Sequence, residues 1–150
     1  MKFLKFISII IMSMFYIGVG VGHFAMPEKF LIIIPKSFPF PFFLVYASGF
    51  FEIIFGVLLL FKKFRFFASI GLILLLIAVF PANIFLYLDE FARQAYGGVS
   101  KNKALVRMFF QIPLILIAYW HSKDFFSKWF NYFGVIISIP TILYFLWILF

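Results

Sequence analysis

One acidic side chain lies in the middle of an apolar run, where a charge is costly. The run is Phe42 to Phe61, FFLVYASGFFEIIFGVLLLF, and Glu52 is its only charged residue. At about 1.5 Å of rise per residue such a helix spans a bilayer core, which places Glu52 near the midplane. A carboxylate there costs several kcal/mol unless it is neutral, paired or hydrogen-bonded. A stable fold therefore needs groups that neutralise Glu52 or bond to it.

Four other polar residues occur within or beside apolar segments, and with Glu52 they form the predicted site: His23, Asn83, Arg107 and Gln111. Counting along each predicted helix places all five between the midplane and one membrane face. Arg107 is the natural partner of Glu52, with Asn83 and Gln111 bridging them, because a guanidinium stays charged and donates bidentately. If Arg107 extends to the headgroups instead, we expect a neutral Glu52 beside Gln111.

Two interpretations of these five residues remain open. They could line a pocket that holds a small polar or quinone-like headgroup or relays a proton. They could instead be a polar clamp that sets the register of the helices and binds nothing. The chain has no paired-histidine ligand spacing, no carboxylate pair and no nucleophile–base pattern, so the sequence predicts neither a metal site nor a catalytic residue.

The composition predicts an integral membrane protein. Of the 150 residues, 66% are hydrophobic, 25% are aromatic and only 12% are charged, which is more apolar surface than a soluble domain of this size could bury. There is no cysteine, which excludes disulfides and thiolate-held clusters. The net charge is +8, but the basic residues lie in short loops, which indicates contact with lipid headgroups rather than nucleic acid.

The hydrophobic pattern predicts an all-α, polytopic membrane bundle in one transmembrane domain, 1–150. Its helices are expected at about 5–23, 42–61, 66–88, 104–121 and 130–150. Residues 23–41 contain four prolines and should lie in the interface or dip back into the bundle. Gly18 and Gly22 could allow a neighbouring helix to approach closely, and Gly49 and Gly56 share a face with Glu52.

The distribution of positive charge predicts the orientation. The loop at residues 62–65, KKFR, holds three basic residues between two apolar runs and is expected in the cytoplasm. The N-terminus would then also be cytoplasmic, and the C-terminus would lie outside.

Several short motifs resemble the DoxX-like family of small membrane proteins. They are Gly22-His23-Phe24 with Pro27 and Pro35, SGFFEIIFG at 48–56, VFPANI at 79–84, and RMFFQ at 107–111 with Pro113. The resemblance covers residues 18 to about 121 and implies a four-helix bundle in a bacterial inner membrane. It also implies an association with redox complexes, and the family is named for a subunit of a thiosulfate:quinone oxidoreductase. This chain departs from the family pattern by a fifth apolar run.

Three functions follow as hypotheses. The first is a redox-associated membrane subunit, with quinone as the candidate ligand and other membrane or redox proteins as partners. The second is a scaffold or assembly protein without catalytic activity. A small transporter is disfavoured, because the sequence shows no inverted repeat and the predicted polar groups occupy one half of the bilayer.

Overall fold

The fold is helical in all of its regular structure. The structure, a computed structural model, describes residues 2–124 and 126–149, with side chains as far as residue 144. No strand occurs in these ranges, which confirms the all-α prediction. The helices are α1 Lys2–Ala25, α2 Pro27–Leu31, α3 Pro41–Leu60, α4 Arg65–Leu88, α5 Glu90–Ala95, α6 Lys101–Phe109, α7 Gln111–Ser122 and α8 Lys128–Leu149.

Four segments of the described chain are long and apolar enough to cross a membrane. They are Lys2–Ala25, Pro41–Leu60, Arg65–Leu88 and Lys101–Ser122, in which α6 and α7 together form one span. Large apolar side chains such as Phe67, Leu74 and Ile112 face outward with more than half of their surface exposed. An apolar exterior of this kind suits lipid, consistent with a multi-pass membrane protein.

The fourth predicted helix begins earlier than expected and is broken once. Ser100 accepts a hydrogen bond from the Lys103 amide, and this cap starts α6 at Lys101. The break between α6 and α7 falls at Phe110. Pro113 has no amide hydrogen for the carbonyl of Phe109, so the regular helical bond is lost at this point.

The helices form a closed ring around an apolar core. α1 packs on α3, α3 on α4, α4 on α6 and α7, α7 on α8, and α8 returns to α1. The core contains buried side chains from α1, α3, α4 and α7: Ile9, Met12, Tyr16, Leu59, Ala68, Leu72, Leu76, Leu114, Ile117 and Ala118. The C-terminal helix α8 contributes partly buried residues to this cluster.

The most extensive contact joins α1 and α3, which run antiparallel and meet through glycines. A Cβ added to Gly20 would lie 2.7 Å from the Gly49 carbonyl oxygen, and one added to Gly49 would lie 2.5 Å from the His23 Cβ. About two helical turns away, toward the start of α1 and the end of α3, Ser13 Oγ donates to the carbonyl of Gly56. The predicted Gly18 and Gly22 do not make this contact, since nothing lies within 4 Å of a Cβ on Gly18.

The proline-rich segment after α1 folds back onto the bundle. Pro27 begins the short α2, and Ile33 is buried in a small cluster with Leu86 and Ala104. Phe40 has a left-handed backbone (φ 52°, ψ 54°), which costs a non-glycine residue about 1–2 kcal/mol. Pro41 then starts α3, where its missing amide hydrogen needs no partner.

The two ends of the bundle differ in charge. The end where α1 begins, which we call the basic end, holds seven basic side chains and one acid within the described ranges: Lys2, Lys5, Lys62, Lys63, Arg65, Lys123, Lys128 and Asp124. The opposite end, which we call the pocket end, carries the segment 26–40, α5 and the start of α6.

The glycine contact leads to a stability prediction. Gly49→Ala should lower the free energy of unfolding by about 1–3 kcal/mol, because the new methyl group would overlap both the His23 side chain and the α1 backbone. Gly18→Ala is the matched control and should change it by less than about 0.5 kcal/mol. Denaturant titration in detergent, followed by circular dichroism, measures both. Equal effects would mean that α1 and α3 do not meet through Gly49.

Candidate functional site

A cavity of about 270 Å³ opens among α1, α3 and α4 toward the pocket end, and we call it the Glu52 pocket. The segment that follows α1 covers it with Phe30, Ile33 and Phe38. The walls are mostly apolar. The polar lining residues are His23, Ser48, Glu52, Asn83 and Arg107, which come from four different helices.

Glu52 faces His23 across the α1–α3 contact. The distance between Glu52 Oε2 and His23 Nε2 is 3.5 Å, which is longer than the roughly 2.7–3.2 Å of an ordinary hydrogen bond. Glu52 Oε2 is buried and has no hydrogen-bond partner among the described residues. The carboxyl group therefore keeps an unused bonding site inside an apolar wall, where an unsatisfied polar atom is costly.

The other side of the His23 ring is held firmly. His23 Nδ1 lies 2.9 Å from the Val45 carbonyl oxygen and 3.0 Å from Ser48 Oγ. Because a carbonyl can only accept, Nδ1 carries the proton that bonds to Val45. In a neutral ring Nε2 is then an acceptor directed toward Glu52. Phe30 stacks on the imidazole with ring centroids 3.7 Å apart and fixes its plane.

Arg107 does not pair with Glu52, so the pairing expected from the sequence is wrong. Its Nε donates to Asn83 Oδ1 at 3.0 Å, and one terminal nitrogen donates to the Tyr96 hydroxyl at 2.7 Å. The guanidinium carbon also lies 5.2 Å from the centre of the Tyr96 ring. Arg107 enters the pocket from the opposite wall, because α6 packs on α4 rather than on α3.

Gln111 lies outside the pocket lining. Its amide nitrogen donates to the Leu76 carbonyl at 3.3 Å, and its Oε1 is buried without a hydrogen-bond partner among the described residues. Leu76 directly precedes Ile77, whose carbonyl loses its helical donor at Pro81. Gln111 thus ties α7 to α4 and does not reach Glu52, so the expected bridge between Glu52 and Gln111 is absent from the described contacts.

The structure brings together four of the five residues that the sequence singled out, and adds others. Tyr96 was not predicted, because it follows the short helix α5 in a polar loop whose path over the bundle the sequence does not indicate. The cover formed by Phe30 was not predicted either, since its only signal was the run of prolines around it. Arrangement in three dimensions decided both contacts.

Buried polar side chains also occur in the other half of the bundle. Ser8 Oγ and His121 Nε2 lie 3.0 Å apart, and Ser13 and Ser69 are fully buried. Polar groups are therefore not confined to the pocket half, which removes one of the two arguments against a transporter. No cluster of three or more histidine, cysteine or acidic side chains that could hold a metal ion occurs among the described residues.

Glu52 has an oxygen without a hydrogen bond, whereas Asn83 accepts one from Arg107, and this difference gives a prediction. Glu52→Gln should leave the free energy of unfolding unchanged or raise it, because a neutral amide can donate to His23 Nε2 as a protonated carboxyl group does, and it cannot carry a buried charge. Asn83→Leu should lower it by about 1–3 kcal/mol, because it removes the acceptor of Arg107. Denaturant unfolding in detergent compares the two variants. A larger loss for Glu52→Gln would identify Glu52 as part of a structural clamp.

Comparison with known proteins identifies a family but no function. No curated protein and no solved structure matches the chain. A family model described as a domain of unknown function (DUF8561) matches residues 12–122, which include α1 from its middle turns through the end of α7 and therefore every residue of the Glu52 pocket. The protein belongs to this DUF8561 family.

Proposed function

We propose that the protein is a redox-associated membrane subunit that binds a quinone or a similar lipid-soluble ring in the Glu52 pocket. The observation that carries the proposal is the Glu52 side chain, which lines a mostly apolar cavity of about 270 Å³ and has one carboxyl oxygen buried without a hydrogen bond. A cavity of this volume has room for roughly nine waters, or for one substituted ring. Apolar walls with a few converging polar groups are typical of small-molecule sites.

The polar lining suits the two carbonyl oxygens of a quinone ring, which accept hydrogen bonds. Arg107 uses two of its five N–H donors on Asn83 and Tyr96, so further donors remain for a ligand in the pocket. A protonated Glu52 could donate to the second carbonyl from the opposite wall. The ring would then lie between α3 and α6, against side chains such as Leu75 and Val79.

The Glu52–His23 pair supports a proton-transfer role at the same site. Reduction of a quinone to a quinol takes up two electrons and two protons. His23 Nε2 and Glu52 Oε2, 3.5 Å apart, can hold one proton in either of two positions with little movement. Glu52 could pass this proton to a ring oxygen, and the pair would then take up a second proton from water at the pocket end before the next transfer. Because Val45 and Ser48 fix the His23 ring, the acceptor nitrogen stays directed at Glu52.

The electrons would come from a redox partner protein. The chain has no cysteine and hence no thiolate for a redox centre. A thiol-based redox centre would therefore have to lie in the partner protein. The resemblance to DoxX-like proteins supports the role of a redox-associated subunit, and a four-helix DoxX-like core would consist of α1, α3, α4 and the α6–α7 span.

We further propose a bacterial inner membrane with the basic end in the cytoplasm. The compact group Lys62, Lys63 and Arg65 in the short α3–α4 connection favours this orientation. The Glu52 pocket would then open toward the outer face. α8 has 22 residues, a length that suits a fifth span that returns the chain to the pocket end.

A scaffold or assembly role is the alternative, and one observation favours it. Arg107 with Asn83, and Gln111 with the Leu76 carbonyl, are polar contacts that tie helices together without any ligand. Gly49 and Gly56, however, contact α1 within the same chain, so they are not available as a surface for a partner helix.

A quinone titration tests the proposal. The purified full chain in mild detergent should bind a short-chain ubiquinone saturably in calorimetry and should become more stable by about 2.7 kcal/mol at a hundred times the dissociation constant. Val79→Phe places a ring in the pocket and should weaken binding at least about tenfold. Val57→Phe makes the same change on α3 outside the pocket lining and is the matched control.

The outcomes separate the two functions. Loss of binding in Val79→Phe with normal binding in Val57→Phe supports a quinone site. If wild-type protein binds no quinone while it retains a partner protein through native purification, the scaffold role replaces the proposed one. Binding that neither variant changes would place the quinone in the detergent or on the lipid-facing surface and would refute the pocket.

A further inference from the structure

A second cavity, of about 310 Å³, lies at the basic end, opposite the Glu52 pocket, and we call it the Lys5 cavity. It lies between the first turns of α1 and α8 and the connection that follows α7. Its lining is unlike that of the Glu52 pocket, because most of it is polar or charged: Lys2, Lys5, Asp124, Phe126, Lys128, Asn131 and Tyr132.

Lys5 forms the inner wall of this cavity. Only 8% of its surface is exposed, which is unusual for a lysine. Its ammonium group donates one hydrogen bond to the Lys123 carbonyl and lies 5.3 Å and 5.2 Å from the centres of the Trp120 and Phe126 rings. The carbonyl and the two rings hold this charge in place. Because an ammonium has three N–H donors, Lys5 can still donate to an anionic ligand.

The single acid of the lining is already engaged. Asp124 lies 3.0 Å from Lys62 Nζ and 3.5 Å from Arg65 Nη1, and neither of these cations lines the cavity. The hydrogen bond from Lys62 lowers the pKa of Asp124, so this carboxylate stays ionised and paired at neutral pH. Asp124 is therefore shared with two cations outside the lining, and one carboxylate cannot balance the charge of the three lysines in the lining.

The position of the cavity indicates the kind of anion. It lies at the first turns of two long apolar helices, which is the depth of lipid phosphates in a bilayer. Tyr132 lines the cavity and Trp129 lies beside it, and both are strongly exposed on the first turns of α8. Tryptophan and tyrosine rings are enriched at this level of a membrane, where they contact headgroups. Basic pockets between membrane helices bind anionic headgroups.

We propose that the Lys5 cavity binds the phosphate of an anionic phospholipid, with Lys2, Lys5 and Lys128 as its ligands. The two outer lysines meet the phosphate from α1 and α8, and Lys5 contacts it from below. Asn131 is bonded to Trp120 Nε1 and to the Phe126 carbonyl, which fixes the wall beside Lys128. The bound lipid would link the first and last helices of the ring, which otherwise meet over a small contact.

Native mass spectrometry of the full chain in mild detergent tests this site. Wild-type protein should retain one dioleoyl phosphatidylglycerol in a saturable manner and should retain no dioleoyl phosphatidylcholine at the same concentration. Lys2→Gln/Lys128→Gln should weaken retention by about fivefold for each lysine removed. Both lysines are exposed, so the pair should fold normally, which circular dichroism checks.

The matched control removes the same charge from the same end. Lys63→Gln/Lys123→Gln changes two exposed lysines outside the cavity lining and should leave retention unchanged. Equal loss in the two double variants would show only general attraction to a positive surface and would overturn the proposal. Competition by inorganic phosphate separates the two sources of a phosphate group: displacement of the lipid at equal concentration assigns the site to free phosphate and overturns the lipid assignment.

Discussion

The close approach of α1 and α3 is the contact on which the rest of the structure depends. Gly20 and Gly49 lack the side chains that would hold the two backbones apart. Because the helices meet there, His23 lies beside Glu52, and its other nitrogen reaches the Val45 carbonyl. The acidic group that is most costly to bury in the membrane span therefore lies against an imidazole that can exchange a proton with it. Without this contact Glu52 would face lipid or a neighbouring apolar helix.

The pocket is polar on two walls that do not touch. Glu52 and His23 belong to the α1–α3 pair, whereas Arg107, Asn83 and Tyr96 form a separate group on α4, α6 and the preceding connection. An arginine bonded directly to Glu52 would close the space between them and satisfy both charges. Because the two polar groups lie on separate walls, the cavity between them stays open and Glu52 Oε2 has no hydrogen bond. Buried polar atoms without a hydrogen bond are rare in folded proteins, so this oxygen is an exception to the usual pairing.

The two ends of the bundle have different chemistry. The Glu52 pocket has a mostly apolar lining with polar groups on two walls, which suits a neutral ring with polar substituents. The Lys5 cavity has three lysines and an acid held by other cations, which suits an anion. Both open where a long helix reaches its end, because side chains there can leave the close packing of the core. The interior between them is filled by residues such as Met12, Leu72 and Ile117.

The sequence by itself determined the membrane character, the helical class and which side chains could take part in chemistry. Long apolar runs can satisfy their backbone only as helices, and a lone Glu52 in such a run can be recognised without a fold. Tertiary structure alone decided the partners. Arg107 binds Asn83 and Tyr96 instead of Glu52, Gln111 turns to the Leu76 carbonyl, and the glycine used for close approach is Gly20 rather than Gly18. The physical reason is that depth along a helix can be counted from sequence, whereas the neighbour that a face meets depends on how all the helices pack around the ring.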